Sequence, residues 1–192
     1  VSIGPRDSDG LAGIRHSAKV SGLTQEVLSA SDIRKRWPMF RPRDGMMGLY
    51  EAGAGALFPE KCVGAHLNGA AKAGADLRPG EPVSSWRATP QGGVEVVTAE
   101  GKYSADRLVL TAGAWLPQLL RAETGQPDGP AGGLRLPLRI ERQVLHWFEP
   151  ARNAAAFRPE NCPNNAWEYA PGKLFYCQAD FGDGYKVAFH HN

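Results

Sequence analysis

One short segment constrains the fold more than any other. Leu108-Val109-Leu110 sits between Arg107 and Thr111, and the chain then breaks at Ala112-Gly113-Ala114 before the helix-like Trp115-Leu116-Pro117-Gln118-Leu119-Leu120. A strand-length run that is apolar without alternation predicts burial on both faces, as in a sheet covered by helices. Strand, glycine turn and helix together predict an α/β crossing at this point.

The rest of the chain has a different pattern. Val83–Ala88, Val94–Thr98 and Lys102–Ala105 read as short strands separated by turns at Gly92-Gly93 and Glu100-Gly101, with a further strand piece at Ala75–Arg78. Arg139–Phe148 reads as a long strand, followed by strands at Ala166–Tyr169, Leu174–Gln178 and Tyr185–His190. Ser31–Trp37 is a capped helix stopped by Pro38. A longer helix runs from Pro59 to Lys72, with Gly74 as its stop and Val63, Leu67, Ala70 and Ala71 as its expected buried stripe. Arg41–Gly48 reads as a loop, Leu49–Glu51 as a short strand, and Thr124–Gly133 as a Gly/Pro-rich mobile connection. The expected fold class is α+β, with an α/β part and a separate antiparallel sheet in two interleaved domains.

The last strand carries its own expectation. Tyr185, Val187 and Phe189 alternate with Lys186 and Ala188, and no segment after them supplies a turn or covering helix. An unsupported terminal strand leaves an open edge, so the chain reads as a segment of a longer protein.

Charge and cysteine content exclude several classes. A net charge of +2 with scattered basic residues disfavours a nucleic-acid partner. No apolar stretch approaches the length of a membrane span. Cys62, Cys162 and Cys177 form neither a metal pattern nor a disulfide framework, so no metal is expected and a reducing cytoplasmic setting fits best. His16, His66 and His146 are isolated, which points to surface or packing roles. There is no G-x-G-x-x-G fingerprint, so phosphate binding cannot be argued from this chain.

An ordered set of segments resembles a known family. Ile33-Arg34-Lys35-Arg36-Trp37-Pro38, Gly55-Ala56-Leu57-Phe58-Pro59-Glu60-Lys61-Cys62, Ala112-Gly113-Ala114-Trp115, Pro137-Leu138-Arg139 and Arg142-Gln143-Val144 are followed by Tyr176, Phe181, Lys186 and His190. This set is similar to the monomeric sarcosine oxidase and N-methyltryptophan oxidase family, within the D-amino-acid-oxidase-like flavoproteins. The resemblance implies an incomplete two-domain architecture: substrate domain in residues 1–54 and 134–192, and part of an FAD-binding domain in residues 55–133. It implies oxidation of the C–N bond of a secondary or N-methyl amino acid to an imine, with FAD as cofactor and oxygen reduced to hydrogen peroxide. Glycine or D-amino-acid oxidation is the alternative within the group, and a non-catalytic folded domain the alternative outside it.

Carried over by position, Val83 resembles a strand residue whose backbone meets the adenine, and Ala112, Gly113, Ala114 and Trp115 resemble a turn against the cofactor. Tyr176 and His190 match positions lining the substrate site. A phenol and an imidazole can orient an amine and a carboxylate, whereas a core tyrosine and an exposed strand-end histidine are the plainer readings. His191 reads as a spectator on the opposite face. Trp147 and Trp167 read either as walls of a larger pocket or as sheet packing. The resemblance supplies no catalytic residue within this chain. It places the phosphate-binding segment before Val1, and the flavin-attachment cysteine and the lysine linked to oxygen reactivity after Asn192; the carboxylate-binding arginine is absent too.

Overall fold

The computed structural model describes residues 1–121 and 136–190. The expected connection Thr124–Gly133 and His191 lie outside them. In chain order the elements are β1 (Ser2–Pro5), α1 (Asp9–Val20), β2 (Glu26–Ser29), α2 (Ala30–Arg36), β3 (Met46–Tyr50), α3 (Pro59–Lys72), β4 (Val83–Ala88), β5 (Val94–Thr98), β6 (Lys102–Ala105), α4 (Leu116–Arg121), β7 (Leu145–Phe148), β8 (Asn165–Ala170), β9 (Lys173–Gln178) and β10 (Tyr185–Phe189). They fall into two units, one formed by Val1–Phe58 with Arg142–Asn192 and the other by Pro59–Glu141. Among the described residues no helix is long and apolar enough to cross a membrane.

The first unit is built on a seven-stranded mixed sheet in the order β2-β3-β1-β8-β9-β10-β7. Its N-terminal strands join the C-terminal ones through a parallel pairing of β1 with β8, Ser2 opposite Ala166 and Ile3 opposite Trp167. The separate antiparallel sheet expected at the end of the chain is therefore one part of a larger mixed sheet. β10 is not an open edge either: it hydrogen-bonds to β9 on one side and to β7 on the other.

Period-two alternation gives this sheet two distinct faces. On one, Ile3 and Leu28 pack with Ile33, Trp37 and Phe40 of the α2 segment. A capping box starts α2: the Ser29 hydroxyl accepts from Asp32 N, and the Asp32 carboxylate accepts from Ser29 N at 3.0 Å. Ile33 fits directly over Gly48, where an added Cβ would come within 2.9 Å of its Cδ1. On the other face α1 packs over β1 and β3, with Leu11 against Met47 and Leu49. α1 is capped by Ser8, whose Oγ accepts from Leu11 N at 3.1 Å. The same face is more open toward β7, where Trp147 is 51% exposed.

The second unit holds the three-stranded antiparallel sheet β4-β5-β6, α3 and α4. The three strands and α3 have the bounds that the sequence predicts. Burial differs from expectation. Every buried residue among those described belongs to the first unit, and α3 buries none, with Val63 56% and Leu67 49% exposed. The predicted strand Arg107–Thr111 does not form, and Val109 is 80% exposed. A strand buried on both faces needs neighbouring strands and two covering layers, and the described residues supply neither.

Two other strand expectations fail for want of a partner. Ala75–Arg78 follows the left-handed Gly74 (φ +89°) and runs exposed, closed by an Arg78–Asp76 ion pair at 2.7 Å. Of Arg139–Phe148 only β7 pairs. Leu145 lies opposite Ala188 near the end of β10, so the preceding residues run past their partner.

Candidate functional site

Strand register brings the predicted substrate residues together. On β9, Tyr176 has Ala166 of β8 opposite it on one side and Ala188 of β10 on the other. Lys186 stands opposite Gln178 on β9 and Trp147 on β7. Tyr176, Lys186 and Trp147 thus share the face on which α1 sits, beyond the strands that α1 covers. The rings of Tyr176 and His190 approach edge to face at 6.4 Å between centroids. His190 is held by its own N–H, which donates to Leu174 O at 2.9 Å and extends the ladder one residue past β10. The Lys186 ammonium lies 5.8 Å from the Tyr176 ring centroid and 5.5 Å from that of Trp147. A phenol, an imidazole and an ammonium therefore border one exposed patch.

The β9–β10 turn sets this register. The Asp180 carboxylate accepts from Gly182 N at 2.8 Å and from Gly184 N at 2.9 Å. These two backbone donors, with Arg158 beyond them, hold the acid below the ordinary carboxylate range. Gly184 has φ +100°, and a Cβ there would come within 2.9 Å of Phe148 O. Only glycine lets the turn lie this close to β7.

The two tryptophans separate. Trp167 lies on the opposite face, stacked on Phe175 at 6.0 Å and 4° and edge-on to Phe40 at 5.7 Å, so it is a packing residue. Trp147 is half exposed beside the Lys186 ammonium. Lys186 was read only as part of the family resemblance, and Trp147 as either the wall of a larger pocket or sheet packing. The readable signal was period two: Lys186 is two residues from Ala188 and four from His190, on one face of a strand.

The residues predicted to meet the cofactor lie in the second unit. Val83 opens β4, paired with Thr98, and is 41% exposed. Gly113 has φ +53° and nothing within 4 Å of an added Cβ, at the start of a 3₁₀ turn, Gly113–Trp115, in which Trp115 N donates to Ala112 O at 3.0 Å. Trp115 is 68% exposed. The helix after this turn is tied to β4 by Trp86 Nε1, which donates to Leu119 O at 2.9 Å. An open backbone flanked by Ala112, Ala114 and Trp115 fits contact with a flat ring system. None of these residues carries a charge for a phosphate. Tyr176 and His190 meet within the first unit, whereas Val83 and Ala112–Trp115 belong to the second.

Two further features belong to the interior of the first unit. Cys162 and Cys177 are buried and unbridged; burial pushes the Cys162 thiol up to about 11 and raises Cys177 as well. On the α2 side, a cleft of about 410 Å³ is lined by Arg36, Trp37, Tyr50, Glu51 and Phe181 among others. Its guanidinium is already engaged, paired with Glu26 at 2.7 Å and lying 4.2 Å from the Tyr50 ring centroid. Among the described residues no group of three His, Cys, Asp or Glu side chains is placed to hold a metal ion.

Comparison with known proteins agrees with this fold. The chain is 42% identical over 192 residues to a monomeric sarcosine oxidase of Streptomyces avermitilis, covering 98% of this chain and 47% of the relative. It is 29% identical over 197 residues to an N-methyl-L-tryptophan oxidase of Yersinia pestis, covering 100% of this chain and 47% of the relative. The chain thus spans about half the length of the curated relatives it matches. The solved open form of NikD, described as an unusual amino acid oxidase essential for nikkomycin biosynthesis, superposes with a TM-score of 0.66 at 19% identity, over 100% of this chain and 48% of NikD. The family model for FAD dependent oxidoreductases (DAO) matches residues 3–187, and the chain belongs to that family.

Proposed function

We propose that this chain is the central part of a flavin-dependent amine oxidase that acts on the C–N bond of a secondary or N-methyl amino acid. The products are an imine and hydrogen peroxide, and the chain by itself is inactive. Residues 1–54 and 134–192 form substrate domain, and residues 55–133 form part of the FAD domain. The observation that carries this reading is the juxtaposition of Tyr176 and His190 at 6.4 Å on an exposed sheet face, in a chain of this family.

Bound FAD supplies the two-electron acceptor. The chain's own residues bind and orient. The Tyr176 hydroxyl and the His190 imidazole hold the amino acid's carboxylate and amine against the sheet. Val83 and the Ala112–Trp115 turn border the cofactor's rings. The small-molecule amino acid and oxygen are the partners, and three unbridged thiols support a cytoplasmic setting.

The test uses the full-length polypeptide containing this chain, loaded with FAD and mixed anaerobically with sarcosine or N-methyltryptophan. Tyr176→Phe and His190→Ala should each lower the kcat/KM for flavin reduction about 10-fold or more, the equivalent of one hydrogen bond of about 1.4 kcal/mol. Unchanged reduction in both variants would remove the assignment. A second reading, a folded but catalytically silent segment, is favoured by the 47% share of its relatives' length. A purified 192-residue chain that retains yellow FAD through gel filtration would count against it.

A further inference from the structure

We infer that Gln178 is a specificity-determining residue, whose side-chain carbonyl reads an N–H donor on a ring-bearing side chain of the amino acid held by Tyr176 and His190. The inference rests on the proposed function and narrows its substrate class. Tyr176 and Gln178 are two residues apart on β9, so they point to the same sheet face, about 7 Å apart along the strand. Across the β9–β10 ladder Tyr176 stands opposite Ala188 and Gln178 opposite Lys186. His190 follows Ala188 by two residues, on the other side of Tyr176 from Gln178. An amino acid whose amine and carboxylate lie between the phenol and the imidazole therefore reaches Gln178 with a side chain that crosses the Tyr176 ring.

The side-chain amide of Gln178 is half-buried and makes no hydrogen bond among the described residues. In the free chain water serves it. A side chain laid over the face displaces that water, and the amide then needs its partner on the ligand or is left unpaired. The neighbouring residues decide which partner. Trp147 lies opposite Lys186 on the far side of β10, so Trp147, Lys186 and Gln178 form one row across three strands. An indole N–H and an ammonium only donate, which leaves the Gln178 carbonyl as the one side-chain acceptor in that row. Trp147 is 51% exposed and adds an apolar wall. An apolar wall with a single placed acceptor suits a flat ring that carries an N–H.

The test uses the full-length polypeptide containing this chain, loaded with FAD. Anaerobic stopped-flow reduction gives a dissociation constant and a limiting rate for N-methyltryptophan and for its analogue methylated on the indole nitrogen. In the unmutated enzyme, blocking the N–H should weaken binding about 10-fold, as expected for one lost hydrogen bond whose acceptor is left unpaired. The limiting rate should change far less, because the contact lies away from the reacting C–N bond. In Gln178→Leu the two compounds should bind within about 2-fold of each other, since the group on the protein and the group on the ligand couple. No penalty for the blocked nitrogen in the unmutated enzyme overturns the inference, as does a penalty of the same size in Gln178→Leu, which would mark a steric clash. Reduction by sarcosine but not by N-methyltryptophan overturns it too and leaves the proposed function standing. Failure of both compounds to reduce the flavin removes the proposed function itself, and this inference with it.

Discussion

Glu168 is the side chain whose removal should cost the first unit most for its size. It lies on β8, buried, with the Ser8 hydroxyl donating to Oε2 and Gly172 N donating to Oε1 at 3.1 Å. Ser8 at the same time caps α1. The carboxylate thus ties the helix over one end of the sheet to the β8–β9 turn that leads into the Tyr176 strand. Space for it exists because Gly4 and Gly10 carry no side chain: a Cβ at Gly4 would lie 3.1 Å from Glu168 Cβ, and one at Gly10 would lie 3.2 Å from Oε2. Glu168→Ala strands both donors. Two hydrogen bonds to a charged acceptor are worth about 1.5–3 kcal/mol each. Relief of the buried charge's desolvation offsets part of that, leaving an expected loss of about 2–4 kcal/mol. Glu168→Gln keeps an acceptor for Gly172 and turns an amide donor toward Ser8, so it should lose only about 1–2 kcal/mol. Urea unfolding followed by tryptophan fluorescence measures both, and exchange of the Leu11 amide reports on the cap. If Glu168→Ala stays within about 0.5 kcal/mol of the parent, the carboxylate is not the tie between α1 and the sheet. A Ser8→Ala, Glu168→Ala pair that is fully additive would refute the same reasoning, because groups in direct contact should couple.

Three other outcomes follow from single contacts. Gly48→Ala drives a methyl against Ile33, which is fully buried, and should lower stability by about 1–3 kcal/mol in the same urea assay; a neutral result would mean that α2 shifts freely. Asp180 titrates below its ordinary value in the folded chain, so it stabilises above the unfolded carboxylate pKa of about 3.9 and that contribution is lost as pH falls through the lower folded value. Asp180→Asn should therefore be the less stable protein at pH 7 and converge on the parent as pH falls through that lower folded value; parallel curves would contradict the turn's role. Cys162 and Cys177 are buried and protonated at pH 8, so Ellman's reagent should titrate Cys62 first and the other two only after denaturant is added. Three equal rates would refute that order.

What the sequence made legible was local. β4, β5 and β6 were readable because alternation and the Gly92-Gly93 and Glu100-Gly101 turns lie within a few residues of each other. α3 was readable from Pro59 and Gly74. β1, α1 and β2 were not predicted. β1 is four residues long and gains its place through a parallel pairing with β8, more than 160 positions away. No window along the chain contains that information. The candidate site was legible only by resemblance, since Tyr176 and His190 lie on different strands and meet through the register that Asp180 and Gly184 impose. Lys186 was visible in the alternation but mute about its neighbours, because Trp147 is 39 residues earlier in the chain.

The failed expectations are themselves informative. Val63 and Leu67 repeat at helical spacing, and Leu108-Val109-Leu110 is apolar throughout; such patterns describe surfaces that need to be covered. In the first unit comparable patterns end in burial: Ile33 is 0% exposed and Ile3 is 1%. In the second, Val63, Leu67, Val83, Val109 and Trp115 all stay exposed. The difference is not one of composition, because α3 is as amphipathic as a packed helix requires. It lies in what the described residues provide: the first unit builds a buried core around Ile3, Leu28, Ile33, Trp37 and Phe40, although Val27, Trp147 and Phe189 stay exposed there, and the second unit buries no described residue. Apolar surface left in water in this way normally marks an interface. The residues predicted to border FAD are on this unit and the predicted substrate residues are on the other. On that distribution the Tyr176–His190–Lys186 face is backed by a buried core, whereas the residues predicted to border FAD are not.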